Sequence, residues 1–150
     1  MKKKGILIAI VLVLVVAIFI IYSGSGSNNK VSATVYKSPT CGCCVKYIPY
    51  AESKGFEIGV QTTTYIDPIK AEYGIPSSMQ SCHTMVVDDY FVEGHVPIKA
   101  VEKLLEERPD IDGIALPGMP AGSPGMPGTK QGDFVIYAVK GGQVSEFMRI

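Results

Sequence analysis

Residues 31–60, VSATVYKSPTCGCCVKYIPYAESKGFEIGV, decide the fold because they pass from a strand pattern to a helix pattern and back. Residues 31–36 are rich in β-branched side chains and predict a strand. Residues 41–54 predict a helix that ends before Gly55, and the apolar positions in 56–60 then alternate with polar ones as in a second strand. The stretch therefore predicts a strand–helix–strand unit and an α/β fold.

The chain after residue 60 continues the alternation of strands and helices. Asp67-Pro68 supplies a helix start, and Asp88-Asp89 supplies a turn between two short apolar runs. Residues 113–132 are dense in glycine and proline and predict an ordered loop, and Gly141-Gly142 predicts the turn of a C-terminal β-hairpin. The further predicted elements are a short helix at 68–73, strands at 84–87 and 90–92, a helix at 97–108, and hairpin strands at 134–139 and 144–150.

The N-terminus predicts a membrane segment. Sixteen consecutive apolar residues run from Ile6 to Ile21. With their flanks they would make about 27 Å of helix, close to the roughly 30 Å of a hydrocarbon core. The run is longer than the apolar region of most cleaved signal peptides, so we expect a transmembrane anchor in residues 1–22, with a signal segment as the alternative. Residues 23–30 predict a flexible linker, and residues 31–150 one domain.

The distribution of charge predicts the location of the domain and excludes one class of partner. Lys2, Lys3 and Lys4 precede the apolar run, so the positive-inside rule places the domain outside the cytoplasm, at a periplasmic or extracellular face. Cleavage of the segment would make the domain secreted. Without these three lysines, 11 basic residues stand against 14 acidic ones, so the sequence argues against a nucleic-acid partner.

Four cysteines carry the chemistry of the domain. Cys41, Cys43 and Cys44 lie where the first strand meets the helix, and Cys82 lies just before a later strand. The N-terminus of a helix favours thiolates, because its N–H groups are unpaired and its dipole is positive there. Three interpretations stay open: a metal site, a redox-active dithiol and structural disulfides. Thiolates bind soft metals, Cu(I) first and then zinc or an iron–sulfur cluster.

The C-x-x-C of Cys41 and Cys44 opens a helix that contains Pro49, and in this respect the segment resembles thioredoxin. Residues 84–87 also resemble the third strand of thioredoxins, which those proteins enter through a cis-proline that faces the C-x-x-C. This chain has Cys82-His83 at that place, so two metal-binding side chains replace one that cannot bind a metal. The resemblance implies a thioredoxin-like core, to which a Gly/Pro/Met loop and a C-terminal hairpin are added.

Four blocks of sequence extend the resemblance to one family: CGCC at 41–44, SCHT at 81–84, EGHVP at 93–97 and PGMPAGSPGM at 117–126. Together they resemble the thioredoxin-like metal-binding proteins that include the copper-resistance protein CopG. The resemblance implies that Cys41, Cys43, Cys44 and Cys82 bind copper, with a multinuclear Cu(I) cluster among the options, and that the domain acts in copper tolerance or copper redox interconversion. Pro127 departs from the family, which often has Glu there.

Two histidines and two methionines are candidate supporting ligands. His83 adjoins Cys82, and its alternative role is a hydrogen bond to a carbonyl near the site. His95 follows Gly94, and its alternative role is to stabilise a turn. Met119 and Met126 lie in the Gly/Pro loop, where their thioethers suit Cu(I), and their alternative role is to fill space in the core.

The sequence thus predicts a membrane-tethered domain outside the cytoplasm that binds Cu(I) in copper tolerance or trafficking. Its expected partners are the copper ion, the membrane, and a protein that delivers or exports copper. The alternative is an enzyme, either a thiol–disulfide oxidoreductase or one that cycles Cu(I) and Cu(II), that uses the C-x-x-C at a helix N-terminus. A zinc-stabilised structural module is a third interpretation.

Overall fold

The computed structural model describes residues 30–150 and, before them, only Val13. The predicted anchor or signal segment at 1–22 therefore lies outside the described residues apart from Val13, and the predicted linker lies outside them apart from Lys30. In the part of the chain that is described, no helix is both long enough and apolar enough to cross a bilayer.

The described residues form a mixed α/β fold with one seven-stranded sheet and three α-helices. The order of elements from residue 31 to residue 107 is the predicted order of strands and helices, with one short 3₁₀ turn added at Ser77–Met79. The elements are β1 (Val31–Lys37), α1 (Gly42–Glu52), β2 (Phe56–Thr62), α2 (Ile66–Glu72), β3 (His83–Val87), β4 (Tyr90–Gly94), α3 (Ile98–Glu107), β5 (Gly113–Leu116), β6 (Val135–Lys140) and β7 (Gln143–Arg149).

The sheet has the order β2-β1-β3-β4-β5-β6-β7. Strands β1 and β2 are parallel and connected through α1, whereas β1 and β3 are antiparallel. Lys37, the last residue of β1, pairs with His83, the first residue of β3. The chain therefore leaves β1 at the edge of the sheet where it enters β3. This register brings Cys41 and Cys82 to the same edge of the sheet. In the sequence they are 41 positions apart, and α1, β2 and α2 lie between them.

Strand β5 corrects the prediction that residues 113–132 form a loop throughout. Residues Gly113–Leu116 are buried and pair in parallel with β4, and this pairing joins the C-terminal hairpin to the sheet. Gly113 permits the close approach, because a Cβ there would lie 2.2 Å from the carbonyl oxygen of Phe91 and 2.5 Å from its ring. The pattern hid this strand because it is four residues long and adjoins a run of glycines and prolines.

The helices that carry the site pack on the sheet through apolar faces. Helix α1 buries Cys44, Tyr47 and Ala51, which recur at intervals of three and four residues. Helix α3 buries Ile98, Val101 and Leu104, as its periodicity predicted. Burial of α1 through one face fixes its N-terminal turn against the sheet edge where β1 ends and β3 begins.

The rest of the predicted loop folds back over the first turn of α1. At Gly125, φ is +81° and an added Cβ would lie 2.9 Å from the backbone nitrogen of Tyr47 and 3.0 Å from the carbonyl oxygen of Cys43. The loop is closed on itself, since the N–H of Gly122 donates to the carbonyl of Pro127 at 3.0 Å. The Gly/Pro/Met loop is therefore an ordered cover over the helix start.

Candidate metal centre

The four cysteines predicted to act together lie in one cluster. Their Sγ atoms all lie within 4.8 Å of one another. Cys82 is 3.7 Å from Cys43 and 3.7 Å from Cys44, and Cys43 is 3.6 Å from Cys41, all measured between Sγ atoms. Sulfur atoms at these separations are close enough to share one ion or a small cluster.

The structure joins Cys41 and Cys44 in a disulfide and leaves Cys43 and Cys82 as free thiols. Cys41 caps α1, where its Sγ accepts the backbone N–H of Cys44 at 3.3 Å. The disulfide is one of the interpretations that the sequence left open. Disulfide sulfurs lack the negative charge of the thiolates that bind metals. Reduction of the disulfide, which takes up two electrons and two protons, is therefore required before all four cysteines become ligands.

Cys82 lies at the centre of the site and is partly buried. Burial raises the pKa of its thiol to about 12, and the neighbouring Cys43 adds to the increase. The Cys82 thiol is therefore protonated at neutral pH in the metal-free protein. A metal that binds there must displace this proton, so we expect binding to release protons to the solvent.

His95 presents a nitrogen lone pair to Cys82. Its Nδ1 lies 2.6 Å from the carbonyl oxygen of Pro124, and its Nε2 lies 3.0 Å from the Sγ of Cys82. A carbonyl oxygen only accepts hydrogen bonds, so this contact assigns the proton to Nδ1 and leaves Nε2 as an acceptor or a metal ligand. Burial lowers the pKa of His95, which favours the neutral imidazole. A ligand orientation fixed through the second ring nitrogen is typical of metal-binding histidines.

His83 is fully buried beside the same thiol. Its Nδ1 lies 3.5 Å from the Sγ of Cys82, and its Nε2 has no hydrogen-bond partner in the described residues. Burial lowers the pKa of His83 to about 3, and the neighbouring His95 and Lys70 add to the decrease, so the ring is neutral. A buried polar atom without a partner is costly and calls for an explanation. A nitrogen kept free for a metal is such an explanation, and it agrees with the donor set.

The second group of potential ligands is thus Cys82, His83 and His95, whose ligand atoms also lie within 4.8 Å of one another. Cys82 belongs to both groups. The cysteine cluster and the histidine pair therefore form one continuous site, with Cys82 between them.

Tyr47 is a further residue of the site that was not among the candidate ligands. Its ring is buried 4.6 Å from the His83 ring and 5.7 Å from the His95 ring, measured between centroids, and its hydroxyl donates to the carbonyl of Val96 at 2.9 Å. Burial raises the pKa of the Tyr47 hydroxyl. The available signal was its position three residues after Cys44, on the buried face of α1.

The two loop methionines have different surroundings. Met119 is 40% exposed and has a φ of +47°, whereas Met126 is half-buried and follows Gly125, which packs on α1. Their assignment as ligands stays a prediction.

A buried ion pair next to the site was not predicted. Lys70 on α2 pairs with Glu93 on β4, and the carboxylate also accepts from residues on either side of Cys82 and His83. The pattern at 68–73 indicated only a short helix, so no local signal placed Lys70 in the interior.

Comparison with known proteins identifies relatives of the chain. A family model described as a protein of unknown function, DUF411, matches residues 79–126. The chain is similar to two solved structures, titled copper resistance protein CopG form 2 and form 1, each with a TM-score of 0.75 and 39% sequence identity. The matches cover 81% of this chain, and 99% and 98% of those chains respectively. No curated protein sequence matches the chain. Because this identity extends over four-fifths of its length, the chain belongs to the family of CopG copper-resistance proteins.

Proposed function

We propose that the domain binds Cu(I) through the thiolates of Cys41, Cys43, Cys44 and Cys82 once the Cys41–Cys44 disulfide is reduced. The observation that carries the proposal is the distance of at most 4.8 Å between all of these sulfur atoms. His83 and His95 supply nitrogen donors beside Cys82. Met119 and Met126 are proposed as further sulfur donors from the covering loop.

The donors limit the metal to those that thiolates bind, and the similar solved structures favour copper among them. Thiolates and imidazoles also suit zinc, and four thiolates suit iron–sulfur clusters. The titles of the similar solved structures name copper resistance, which favours copper here. A site rich in thiolates stabilises Cu(I) over Cu(II), because Cu(I) is the softer ion.

The proposed cellular role is copper tolerance or trafficking outside the cytoplasm. The support is the apolar run after Lys2, Lys3 and Lys4, which favours a membrane tether with an outward-facing domain. We propose a thioredoxin-like arrangement for the part from β1 to α3, supported by its order of elements. A protein that delivers copper to this site or removes it is part of the proposal.

The first test is a Cu(I) titration of the reduced, metal-free protein without oxygen, in competition with a chromogenic Cu(I) chelator. We expect tight copper binding by the wild type and loss of that binding in the Cys41→Ser/Cys44→Ser double variant, since two of four thiolates are removed. Lys46→Ala, an exposed change on the same helix, is the control and should bind as the wild type does. A wild-type protein that fails to compete with the chelator for copper would reject the proposal.

A second candidate function is thiol–disulfide exchange, and the Cys41–Cys44 disulfide at the N-terminus of α1 favours it. In this reaction a substrate thiolate attacks one sulfur of the disulfide, and a second substrate thiolate then resolves the mixed disulfide. The substrate dithiol is oxidised and the two cysteines become thiols, so electrons balance. The exchange is reversible, and its reverse can be assayed with insulin: dithiothreitol reduces the Cys41–Cys44 disulfide, and the resulting dithiol reduces a disulfide of insulin and is itself oxidised again. A Cys41 thiol with an ordinary pKa would remove the basis of this candidate.

A further inference from the structure

A buried ion pair lies beside the cysteine cluster without contributing a ligand to it. Lys70 and Glu93 pair through Nζ and Oε1, and their side chains are 3% and 0% exposed. The loss of hydration of two buried charges can cancel or exceed their attraction, and an apolar pair of similar volume is often at least as stable. The stability of the fold is therefore a weak reason for this pair. Its hydrogen bonds indicate a different role.

The carboxylate of Glu93 accepts hydrogen bonds from both sides of the ligand segment. Its Oε1 accepts the backbone N–H of Ser81 at 2.5 Å, and its Oε2 accepts the hydroxyl of Thr84 at 2.6 Å. Ser81 and Thr84 flank Cys82 and His83 directly. One carboxylate therefore holds both ends of the dipeptide whose sulfur and imidazole face the other thiols.

Lys70 completes this network. Its Nζ donates to the hydroxyl oxygen of Thr84 at 3.2 Å and to Oε1 of Glu93. The Thr84 hydroxyl thus accepts from Lys70 and donates its own proton to Glu93, so its direction is fixed. A neutral amide at position 93 has only one acceptor oxygen, so it keeps either the contacts with Ser81 and Lys70 or the hydrogen bond from Thr84, but not all three. The carboxylate accepts from all three donors at once.

The backbone beside the network leaves little room for the ligand segment to move. At Gly94, φ is +81°, and an added Cβ would lie 2.7 Å from the Oγ of Ser81 and 2.8 Å from the carbonyl oxygen of Leu116. Ser81 is therefore packed directly against the end of β4. Hydrogen bonds to Glu93 and packing against Gly94 both act at the residue that precedes Cys82.

We propose that the buried Lys70–Glu93 pair positions Cys82 and His83, so that the Cys82 thiolate reaches the cysteines of α1 when copper binds. Both are positioning residues, since they act through the backbone of Ser81 and the hydroxyl of Thr84. This inference rests on the proposed copper binding. Without the pair, the segment before β3 loses the bonds that keep the Sγ of Cys82 at 3.7 Å from those of Cys43 and Cys44.

The test compares Glu93→Gln and Lys70→Met with the wild type in the reduced full chain. Removing groups that orient metal ligands costs about 10–100-fold in metal affinity, so we expect Cu(I) affinity, measured by chelator competition, to fall by at least about tenfold. The ultraviolet band from charge transfer between thiolate and Cu(I) should change as well. The matched control is Lys103→Met, which removes an exposed ion pair with Glu107 and should change neither readout.

A second measurement does not depend on copper. We expect Cys82 in the folded, metal-free variants to react faster with iodoacetamide than in the wild type, as resolved by mass spectrometry. Thr84→Val removes one hydrogen bond to Glu93 at nearly constant side-chain volume. If the charge variants fail to fold, this variant tests the positioning role in their place.

The outcomes separate this inference from the proposed function. Folded variants with wild-type copper affinity, spectrum and Cys82 reactivity would overturn the positioning role, even if they unfold at lower urea concentration. A wild type that binds no copper would reject the proposed function. In that case unchanged Cys82 reactivity in the variants overturns the positioning role, and faster reaction supports it.

Discussion

Cys82 is the residue at which the parts of the site meet. Its Sγ lies 3.7 Å from two cysteine sulfurs of α1 and 3.0 Å from the Nε2 of His95. The sequence identified this residue as the fourth cysteine and as part of a Cys-His pair, at the place where the resemblance to thioredoxins implied a proline. The elevated pKa of about 12 was not predictable, because it results from burial and from Cys43, which is distant in sequence. The local sequence pattern identifies Cys82 as a candidate ligand, whereas the protonation of its thiol depends on tertiary contacts.

The neutral state of His83 predicts how the stability of the reduced, metal-free protein depends on pH. The pKa of His83 falls from 6.5 to about 3 on folding, so between these values the unfolded chain binds a proton that the folded chain does not. The free energy of unfolding should therefore decrease as the pH is lowered from 6.5 towards 3. Urea unfolding at several pH values measures this dependence.

The control for this pH dependence is His83→Leu. The substitution removes the titrating ring together with its Nε2, which has no hydrogen-bond partner among residues 30–150, so the decrease in stability over the same pH range should become smaller. The carboxylates that titrate in this range are the same in both proteins, so their contribution cancels when the two pH profiles are compared. Identical pH profiles of the variant and the wild type would contradict the assignment of a buried neutral His83.

At the scale of elements, the covering loop supports the site through two contacts. The Pro124 carbonyl fixes the proton of His95 on Nδ1, and Gly125 packs against the first turn of α1. The glycine and proline content predicted an ordered loop, and its position over α1 follows from contacts that no local pattern contains. The same composition concealed β5, whose burial depends on Phe91 of the neighbouring strand.

Gly125→Ala should destabilise the protein and weaken copper binding. A left-handed backbone costs a non-glycine residue about 1–2 kcal/mol, and here the added Cβ would also lie 2.9 Å from a backbone nitrogen of α1. The displaced loop would move Pro124 away from His95. Urea unfolding measures the first effect, and Cu(I) competition measures the second.

Gly132→Ala is the matched control for the loop. Gly132 also has a positive φ, +77°, but a Cβ there would meet no atom within 4 Å. Its substitution should therefore cost only the backbone term and leave copper affinity unchanged. Equal losses of stability in the two variants would show that the loop does not press on α1.

At the scale of the whole molecule, antiparallel pairing of β1 and β3 brings the cysteines together. The pairing of Lys37 with His83 places the end of β1 beside the start of β3, and α1 begins at that edge. The sequence predicted these strands and the helix between them from periodicity. The register and the burial of Lys70 are long-range features, and a single sequence carries no local signal for them. The Cys41–Cys44 disulfide is local, and the C-x-x-C motif left it open as one of several interpretations.

The most direct test of copper binding by thiolates is the copper K-edge X-ray absorption spectrum of the reduced full chain loaded with Cu(I). We predict an edge typical of Cu(I) and a coordination shell dominated by sulfur, as expected for four thiolates whose Sγ atoms lie within 4.8 Å of one another. A shell of nitrogen and oxygen alone would contradict the account, since copper would then be bound away from the cysteine cluster.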